Sequence, residues 1–412
     1  MSRTACREQA VNQAGMTDGA TGPVDVEPAG KGHVAVYVPS LRGGGAERIM
    51  VMLTNAFARQ GWKVDLVLVE AVGPYLEDVD GSVRLIDLGA RRVVTSLPAL
   101  VRYLRRERPD AMLAALTHTN VVAVAARWLS GVPTRVVVSE RNNLSVSRAN
   151  AEFIRSRAMF PLVCWAYRAA DGVTTVSAGV ADDLARFTKL PRTKIDVIYN
   201  PIVNDELLEK SREQVDHPWF SDNGSPVLLG AGRLVEQKHF SALIHAFARI
   251  RKRREARLVI LGEGKQRQEL EALVRELGVG DDVSLPGFVS NPYAYMRGAR
   301  VFVLSSAWEG LPGALIQAMA CGTPVVSTDC PSGPAEILEN GKWGRLVPAG
   351  DVEALADAIV ATLDDRSSPN VSSRAGDFGV DRAVDEYLRV LFPGSRTGGH
   401  GQVEAGHENP AL

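Results

Sequence analysis

The chain has 412 residues, of which 45% are apolar and 23% charged, a balance typical of a globular protein with room for two domains. Its 47 basic and 48 acidic residues give a net charge of −1, which argues against a general nucleic-acid binder. The four cysteines are scattered and form no CxxC pair, so neither a disulfide framework nor a metal site is predicted. This usage is typical of a reducing compartment.

Both ends of the chain are expected to lie outside the folded part. Residues 1–32 are rich in small and polar residues and lack the apolar core of a secretory signal, and residues 394–412 have the same texture. No apolar run reaches the roughly 18 residues that would predict a membrane span. We therefore expect a disordered leader, a disordered tail and a cytoplasmic protein.

Strand and helix signals alternate along the first half. The β-branched run His33–Val38 precedes a glycine-rich turn and a helix with apolar residues at helical spacing, and the run VDLVLVE supplies the next strand. The alternation includes a basic helix near 97–108 and a long helix around 151–170, and it continues to KIDVIYNP. This pattern predicts a doubly wound α/β domain with a parallel sheet at residues 33–205.

The texture changes after Pro201. Residues 204–226 are polar and contain two prolines, which predicts a linker. Alternation restarts with PVLLGAGRL and runs to RLVPAG, so a second doubly wound domain is predicted at residues 206–380, with a closing helix at 381–393. Two such Rossmann-like domains in tandem place a ligand cleft between the carboxyl ends of their sheets.

Glycine-rich turns are the first candidates for binding phosphate. Gly43, Gly44 and Gly45 precede a helix, whose free N–H groups and positive end suit an anion, although a tight turn alone is the alternative. This run and the runs at 230–232 and 262–264 all lack the third glycine of the dinucleotide fingerprint. A nucleotide-dependent dehydrogenase is therefore disfavoured.

Two further places follow predicted strands of the second domain. Arg233 and Lys238 could neutralise a diphosphate, although a charged, solvated turn is the alternative. Glu309 suits sugar hydroxyls, and the loop at 310–313 opens a helix whose N–H groups suit a phosphate. Gln317 lies about two turns into that helix, where it reaches either hydroxyls or solvent.

From about Val34 to Val390 the chain resembles the retaining glycosyltransferases of family 4, which have the GT-B fold. The matching stretches, in this order, are SLRGGGAER, VSERNN, VIYNP, GRLVEQK, LGEG, LPGFVSNP, EGLPGALIQAMACGTPVVSTDCPSGPAEIL and GRLVP. The resemblance is nearest to bacterial enzymes that build capsule, O-antigen or exopolysaccharide on lipid carriers. It implies a hexosyltransferase of cell-surface polysaccharide synthesis. Such an enzyme moves a sugar from a nucleotide-diphosphate donor, most often UDP-linked, to a glycan or lipid-linked hydroxyl.

The resemblance also implies roles for individual residues of the donor site. Arg233 and Lys238 match the pair that grips the diphosphate, and Glu309 matches the first glutamate of the E-x7-E motif, which contacts the transferred sugar. The remaining donor-site matches are the N–H groups of Gly310 and Leu311 at the phosphate, Phe288 and Val289 at the base, and the Gly44–Gly45 loop that closes over the donor. No metal-ligand cluster is visible, so no metal or other cofactor is expected.

The resemblance also implies roles for His118 in catalysis and for Gln317 in donor binding. His118 matches a histidine near the sugar in many members, and it would orient the sugar while a donor phosphate oxygen takes the acceptor proton. Gln317 replaces the second glutamate of E-x7-E, which usually binds the ribose hydroxyls. A neutral hydrogen bond contributes about 0.5–1.5 kcal/mol against about 1.5–3 for a charge-assisted one, so several-fold weaker donor binding is expected. Glu336, near a predicted helix start, is interpreted as a capping or packing residue.

The first domain is expected to receive the acceptor. Two arginine-rich stretches, residues 91–108 and 141–168, predict contact with anionic lipid headgroups at the inner face of the membrane, because the second is interleaved with aromatic residues. Ordinary solvated helix faces are the alternative. The acceptor-side candidates, at a strand end facing the cleft, are Glu140, Arg141, Asn142 and Asn143.

Two other functions stay open. A sugar-nucleotide-binding subunit that has lost activity would carry Gln317 as the trace of that loss. A nucleotide-sugar epimerase on the same scaffold would need a further acid and base, and the sequence shows no such set.

Overall fold

The computed structural model describes residues 31–145, 159–220, 224–365, 367 and 369–394. The predicted leader up to residue 30 and the predicted tail from residue 395 therefore lie outside the described residues. So does the first part of the long helix predicted around 151–170. No helix among the described residues is long and apolar enough to cross a membrane.

The N-terminal domain is built on a parallel sheet of seven strands in the order β3-β2-β1-β4-β5-β6-β7. The strands are β1 (His33–Val38), β2 (Lys63–Leu68), β3 (Arg84–Asp87), β4 (Ala111–Ala115), β5 (Arg135–Glu140), β6 (Gly172–Thr175) and β7 (Ile195–Val197). The helices are α1 (Gly45–Arg59), α2 (Leu97–Glu107), α3 (Thr117–Ser130), α4 (Met159–Ala169) and α5 (Ala178–Thr188), with 3-10 turns at Pro74–Leu76, Val93–Ser96 and Arg192–Lys194. The central strands are almost wholly apolar because helices cover both faces of the sheet.

The C-terminal domain repeats this plan with a parallel sheet of six strands in the order β10-β9-β8-β11-β12-β13. The strands are β8 (Val227–Ala231), β9 (Arg257–Leu261), β10 (Val283–Gly287), β11 (Val301–Leu304), β12 (Val325–Asp329) and β13 (Arg345–Pro348). The helices are α6 (Asp205–Lys210), α7 (Phe240–Arg251), α8 (Arg267–Glu276), α9 (Pro292–Gly298), α10 (Gly313–Ala320), α11 (Pro334–Ile337), α12 (Val352–Asp364) and α13 (Val371–Ala375). Further 3-10 turns lie at Pro218–Phe220, Glu236–Lys238, Gly280–Asp282 and Gly376–Phe378.

A last helix, α14 (Val380–Leu391), returns to the N-terminal domain. Beyond its end, the Phe392 ring stacks on Trp62 with 4.5 Å between ring centroids. The Arg135 Nε atom donates to the Val390 carbonyl at 2.9 Å. One apolar cluster therefore includes α1, α14 and one face of each sheet, and it joins the two domains.

The two connections between the domains run side by side, since the Ile202 N–H donates to the Phe378 carbonyl at 2.9 Å. Residues 204–226 were predicted to form a linker, but the described part of this segment folds onto the C-terminal domain. Phe220 packs edge-to-face on Tyr295 with 5.2 Å between ring centroids. The aromatic residues in this polar segment bind it to the domain, so the crossover is shorter than its composition predicts.

Each sheet has one point at which the strand order reverses. In the first sheet this point lies between β1 and β4, and in the second it lies between β8 and β11. Loops that leave neighbouring strands in opposite directions open a crevice at the carboxyl edge, and ligands of such sheets bind there. The topology therefore selects four loops, one after each of these strands.

Candidate functional site

The loops that follow β8 and β11 are tied to each other by hydrogen bonds in both directions. The Ala307 N–H donates to the Gln237 carbonyl at 2.8 Å, and Gln237 Nε2 donates to the Trp308 carbonyl at 3.0 Å. Lys238 Nζ then reaches Glu309 Oε1 at 2.5 Å. Lys238 and Glu309 therefore form one ion pair on two hydrogen-bonded loops, although the sequence assigned them to different groups of the ligand.

Glu309 is 6% exposed, and its carboxylate has a second partner. The Ser306 hydroxyl donates to Glu309 Oε1 at 2.6 Å. Sequence reasoning missed Ser306, because a serine after a strand carries no distinctive signal. Arg233 differs from Lys238: it is exposed, and its side chain has no hydrogen bond or ion pair to any described residue, so it is free to meet an anion.

The two glycine runs of the second domain, which fail as dinucleotide fingerprints, have a packing role. A Cβ atom on Gly262 would lie 2.0 Å from the Gly232 carbonyl oxygen, and one on Gly264 would lie 2.2 Å from that of Leu234. The loops after β8 and β9 therefore touch through their backbones, which only glycine permits. This contact supports the turn that carries Arg233.

A cavity of about 380 Å³ lies between the domains at the carboxyl edges of both sheets. Among its described lining residues there are two arginines, Arg48 and Arg141, and no carboxylate. Helix α1 begins at its wall with Gly45, and α10 begins there with Gly313, so two positive helix ends add to its charge. Charge and helix ends together favour an anionic ligand.

The cavity brings together part of the predicted site. The sequence-predicted residues that line it are Gly45, Arg141, Asn142, Gly310, Leu311 and Gln317. The predicted residues that lie outside its lining are Gly44, His118, Glu140, Asn143, Arg233, Lys238, Phe288, Val289 and Glu309. Gly44 is engaged locally, because its N–H donates to the Glu47 carboxylate in a capping box at the start of α1. The glycine turn therefore offers an anion fewer free N–H groups than its sequence suggests.

The two domains touch at Gly310. A Cβ atom there would lie 2.4 Å from the Arg141 carbonyl oxygen, so only glycine fits between the loops after β5 and β11. The Ser177 hydroxyl, from the loop after β6, donates to the Gly310 carbonyl at 2.9 Å. Candidate donor-side and acceptor-side loops are therefore in direct contact.

Glu336 ties the domains a second time. Its two carboxylate oxygens accept the Ala178 N–H at 2.9 and 2.8 Å, which caps α5 of the other domain. Tyr199 donates its hydroxyl to Glu336 Oε1 at 2.8 Å, and burial together with this carboxylate raises the pKa of Tyr199 to about 12. A capping role was expected for Glu336, but the partner across the domain boundary has no local sequence signal.

Glu140 lies at the end of β5 and is fully buried. Its carboxylate accepts the N–H groups of Arg141 and Asn142 at 3.0 and 3.1 Å and the hydroxyls of Tyr167 and Thr117 at 2.5 and 2.9 Å. Burial raises the pKa of Glu140. In this arrangement Glu140 shapes the loop that follows β5 and does not project into the cleft.

Arg141 is 6% exposed, and burial lowers the pKa of its guanidinium. Its Nη2 atom donates to Asn200 Oδ1 at the crossover, whereas Nη1 is buried with no hydrogen-bond partner among the described residues. Asn143 Nδ2 donates to Ser332 Oγ of the other domain at 3.4 Å. Of the four acceptor-side candidates, Arg141 and Asn142 face the cavity, and Asn143 contacts the opposite domain.

His118 is the second residue of α3, directly after the carboxyl end of β4, and it is exposed. The preceding turn is strained, because Leu116 has φ 80° and ψ 139°, a region that costs a non-glycine residue about 1–3 kcal/mol. The Thr117 hydroxyl bond to Glu140 fixes the first turn of α3. Strain and hydrogen bond together set where His118 lies, at the crevice between β1 and β4.

The two predicted base-reading residues follow β10, an edge strand of the second sheet. Phe288 is 79% exposed, and Val289 is half-buried. They stand apart from the 380 Å³ cavity. Among the described residues, no three His, Cys, Asp or Glu side chains gather as a metal site would need.

Comparisons with known proteins cover most of the chain. The family described as Glycosyltransferase Family 4 matches residues 43–206, and the family described as Glycosyl transferases group 1 matches residues 211–377. The boundary between these matches falls near the crossover between the domains.

Two relatives and one solved structure illustrate the likeness. The N-acetylgalactosamine-N,N'-diacetylbacillosaminyl-diphospho-undecaprenol 4-alpha-N-acetylgalactosaminyltransferase of Campylobacter jejuni is 29% identical over 341 residues, which is 81% of this chain and 90% of the relative. The 2-deoxystreptamine glucosyltransferase of Streptomyces kanamyceticus is 30% identical over 335 residues, 74% of this chain and 84% of the relative. The crystal structure of Anabaena HepE in complex with UDP superposes with a TM-score of 0.72 at 19% identity, covering 87% of this chain and 99% of HepE. HepE shares the fold.

Proposed function

The chain belongs to the family-4 glycosyltransferases and has their GT-B fold, and from that premise we propose that it is a retaining enzyme that transfers a sugar from UDP to a lipid-linked glycan. The observation that carries this proposal is the Lys238–Glu309 pair, which stands on the β8 and β11 loops. The cationic cavity between the domains adds to it.

The donor is proposed to lie along the C-terminal edge of the cleft. Arg233 is free to pair with one phosphate. Lys238 Nζ, which donates to Glu309, is proposed to turn some of its N–H donors towards the second phosphate. Glu309 then has oxygen lone pairs available for sugar hydroxyls. Gln317, on the cavity wall, is proposed to bond the ribose diol. UDP is proposed as the nucleotide, as in the HepE complex.

The proposed reaction breaks the bond between the anomeric carbon and the diphosphate oxygen. The acceptor oxygen forms a new bond to that carbon on the same face, and its proton passes to a phosphate oxygen of the leaving UDP. Arg233, Lys238 and the N–H groups of Gly310 and Leu311 stabilise the negative charge that develops on the diphosphate. His118 is proposed to orient the sugar and takes no proton.

The acceptor is proposed to enter from the N-terminal domain. The Campylobacter relative is named for a diphospho-undecaprenol substrate, and this supports a lipid-linked oligosaccharide of cell-surface polysaccharide synthesis as the acceptor. Such an acceptor requires contact with the inner face of the membrane. Arg141 and Asn142 line the cavity from this side and are proposed acceptor contacts.

We further propose that transfer needs no metal ion. The four donor-side groups that would stabilise the leaving diphosphate are two cations and two backbone N–H groups of this chain. Transfer rates within twofold of one another with excess EDTA and with millimolar Mg²⁺ or Mn²⁺ are expected. A loss of more than tenfold in EDTA, restored by one of these ions, would contradict metal independence.

The nucleotide is tested by thermal unfolding with UDP, GDP, ADP and NAD. A ligand at about 100 times its Kd adds about 2.7 kcal/mol to the folded state, which raises Tm by several degrees. We expect UDP alone to do this. Stabilisation by GDP or ADP instead would change the donor, and stabilisation by NAD alone would overturn the assignment.

Transfer itself is tested with UDP-sugars and a diphospho-lipid acceptor, by measuring UDP release together with the anomeric configuration of the product. Retained configuration is expected. UDP binding without transfer to any acceptor tried would favour the alternative of a sugar-nucleotide-binding subunit. Conversion of the UDP-sugar without an acceptor would favour an epimerase.

A further inference from the structure

A second cavity, of about 660 Å³, lies on the N-terminal domain and shares no described lining residue with the cleft. It is bounded by the end of α4, by β7 and by α14, and it reaches the first residues of β5 and β6. It also extends along β7 to Ile198, two residues before Asn200 of the cleft lining. The proposed reaction does not use it.

The cavity holds more free positive than free negative charge. Its free cations are Arg168, Lys194 and Arg389, which are exposed and whose side chains have no hydrogen bond or ion pair to any described residue. Two of its three acidic residues are engaged: Asp171 with Arg127 at 3.5 Å and Glu386 with Arg382 at 3.1 Å. Asp196 is the third. Three cations that line one concave surface suit a phosphate group.

Four exposed apolar side chains lie on α3 and α4, the helices next to this cavity. Leu162 and Trp165 lie on α4 within two turns of Arg168 and are 48% and 40% exposed. Trp128 and Leu129 lie in the last turn of α3 and are 72% and 45% exposed. The residue before Trp128 is Arg127, whose bond to Asp171 brings the end of α3 to the cavity. We call these four side chains the apolar rim.

A cationic cavity beside an apolar rim has the composition of a membrane-interface site. Tryptophan favours the headgroup level of a bilayer, because its ring is apolar while its N–H remains able to bond water. Each basic residue near an anionic leaflet contributes about fivefold in affinity. We propose that the cavity binds the phosphate of an anionic lipid headgroup while the apolar rim enters the interface. This rests on the proposed membrane contact and names the site for it.

The first test compares two variants in sedimentation with vesicles of 30% phosphatidylglycerol in phosphatidylcholine. The cavity variant is Arg168→Gln/Lys194→Gln/Arg389→Gln. The control variant, Lys252→Gln/Arg275→Gln/Arg300→Gln, makes the same change of net charge with exposed residues of the C-terminal domain. Partitioning of the cavity variant is expected to fall about 100-fold, and that of the control less than threefold. Equal losses in the two variants would overturn the site.

The second test separates a lipid headgroup from a free phosphate compound. Calorimetric titration with sn-glycerol 1-phosphate and with inorganic phosphate, both in the presence of saturating UDP to occupy the cleft, is expected to show binding to the wild type and the control variant, and none to the cavity variant. Trp128→Ala/Trp165→Ala is expected to weaken vesicle binding at least tenfold and to leave phosphate binding unchanged. Phosphate binding without vesicle binding would overturn the lipid as occupant, and no phosphate binding would overturn the cavity.

Stabilisation by UDP is measured in every variant as a third readout. It is expected to be unchanged, because none of the substituted residues lines the cleft. Failure of the membrane site with UDP binding intact therefore leaves the proposed transferase standing. Loss of UDP binding in the wild type would instead contradict the proposed function and leave the membrane site to the vesicle measurements.

Discussion

The two domains share one plan but build their candidate sites differently. In the C-terminal domain, the loops after β8 and β11 are cross-bonded, and Glu309 has two side-chain partners within hydrogen-bond distance. In the N-terminal domain, the buried groups at the end of β5 shape the loop, while His118 is exposed. The first arrangement is fixed before a ligand arrives. The second presents side chains for a ligand to complete.

This difference fits the two substrates proposed here. A nucleotide diphosphate is a constant group, so a rigid frame of preorganised charges is effective for binding it. An acceptor glycan varies, and exposed side chains on loops can change without loss of the core. Rigidity should therefore make the C-terminal site the more sensitive of the two to substitution.

The largest effect is expected from Lys238→Met. It removes a cation from the leaving diphosphate and leaves Glu309 buried without its ion-pair partner, so kcat/KM should fall about 1000-fold. Initial rates of UDP release measure this, and Lys252→Met, on an exposed residue at the end of α7, is the matched control. Activity within tenfold of the wild type would contradict a preorganised donor site in the C-terminal domain, because the Lys238–Glu309 pair would then not be needed for the reaction.

A smaller loss is expected from His118→Ala. If His118 orients the sugar, kcat should fall about 100-fold while the Kd for UDP changes less than twofold. His245→Ala, an exposed histidine of α7, controls for the loss of an imidazole. Unchanged turnover would contradict the role of His118. Equal losses in kcat and UDP affinity would place it in nucleotide binding instead.

The contact between the domains is probed by Glu336→Ala. It removes the acceptor for the Ala178 N–H and the Tyr199 hydroxyl, and hydrogen bonds to charged groups contribute about 1.5–3 kcal/mol. Thermal unfolding is therefore expected about 4–8 °C lower, and KM for the donor is expected to rise. Glu353→Ala, on the surface of α12, should change Tm by less than 1 °C, about what a surface substitution does. Equal shifts of Tm in the two variants would show that the Glu336 contacts do not hold the domains together.

The smallest effect is expected from Gln317→Glu, which restores the second glutamate of the E-x7-E motif. A charge-assisted bond to the ribose should tighten UDP binding about fivefold, since the gain is about 1 kcal/mol. Gln317→Ala should weaken it by a similar factor. Calorimetry with UDP measures both. No change in either variant would show that Gln317 does not contact the ribose.

Much of the fold could be predicted because its signals are local. Buried β-branched runs, glycine turns and apolar spacing predict two doubly wound domains and a closing helix near 381–393, against Val380–Leu391 in the structure. The linker prediction was wrong in its extent, because polar composition at 204–226 outweighed the aromatic residues that bind this segment to the C-terminal domain. Composition does not report which side of a boundary a segment packs on.

The site could be predicted less completely. Motif resemblance selects Arg233, Lys238 and Glu309, and it remains a prediction that they bind the donor. It could not indicate Ser306, whose hydroxyl acts only because the loop after β11 turns it towards Glu309. Nor could it show that Glu140 faces inward, since a glutamate at a strand end gives the same sequence signal whether its side chain is buried or exposed.

The sequence by itself determined the elements, their order and the family, because propensity, periodicity and motifs are properties of neighbouring residues. Only the tertiary structure decided which elements meet: Glu336 with α5, Gly310 with Arg141, and α14 with the domain where the chain began. These pairs are separated by more than 130 residues along the chain. Their contact depends on the packing of two sheets against a shared core, and that packing energy belongs to no single segment.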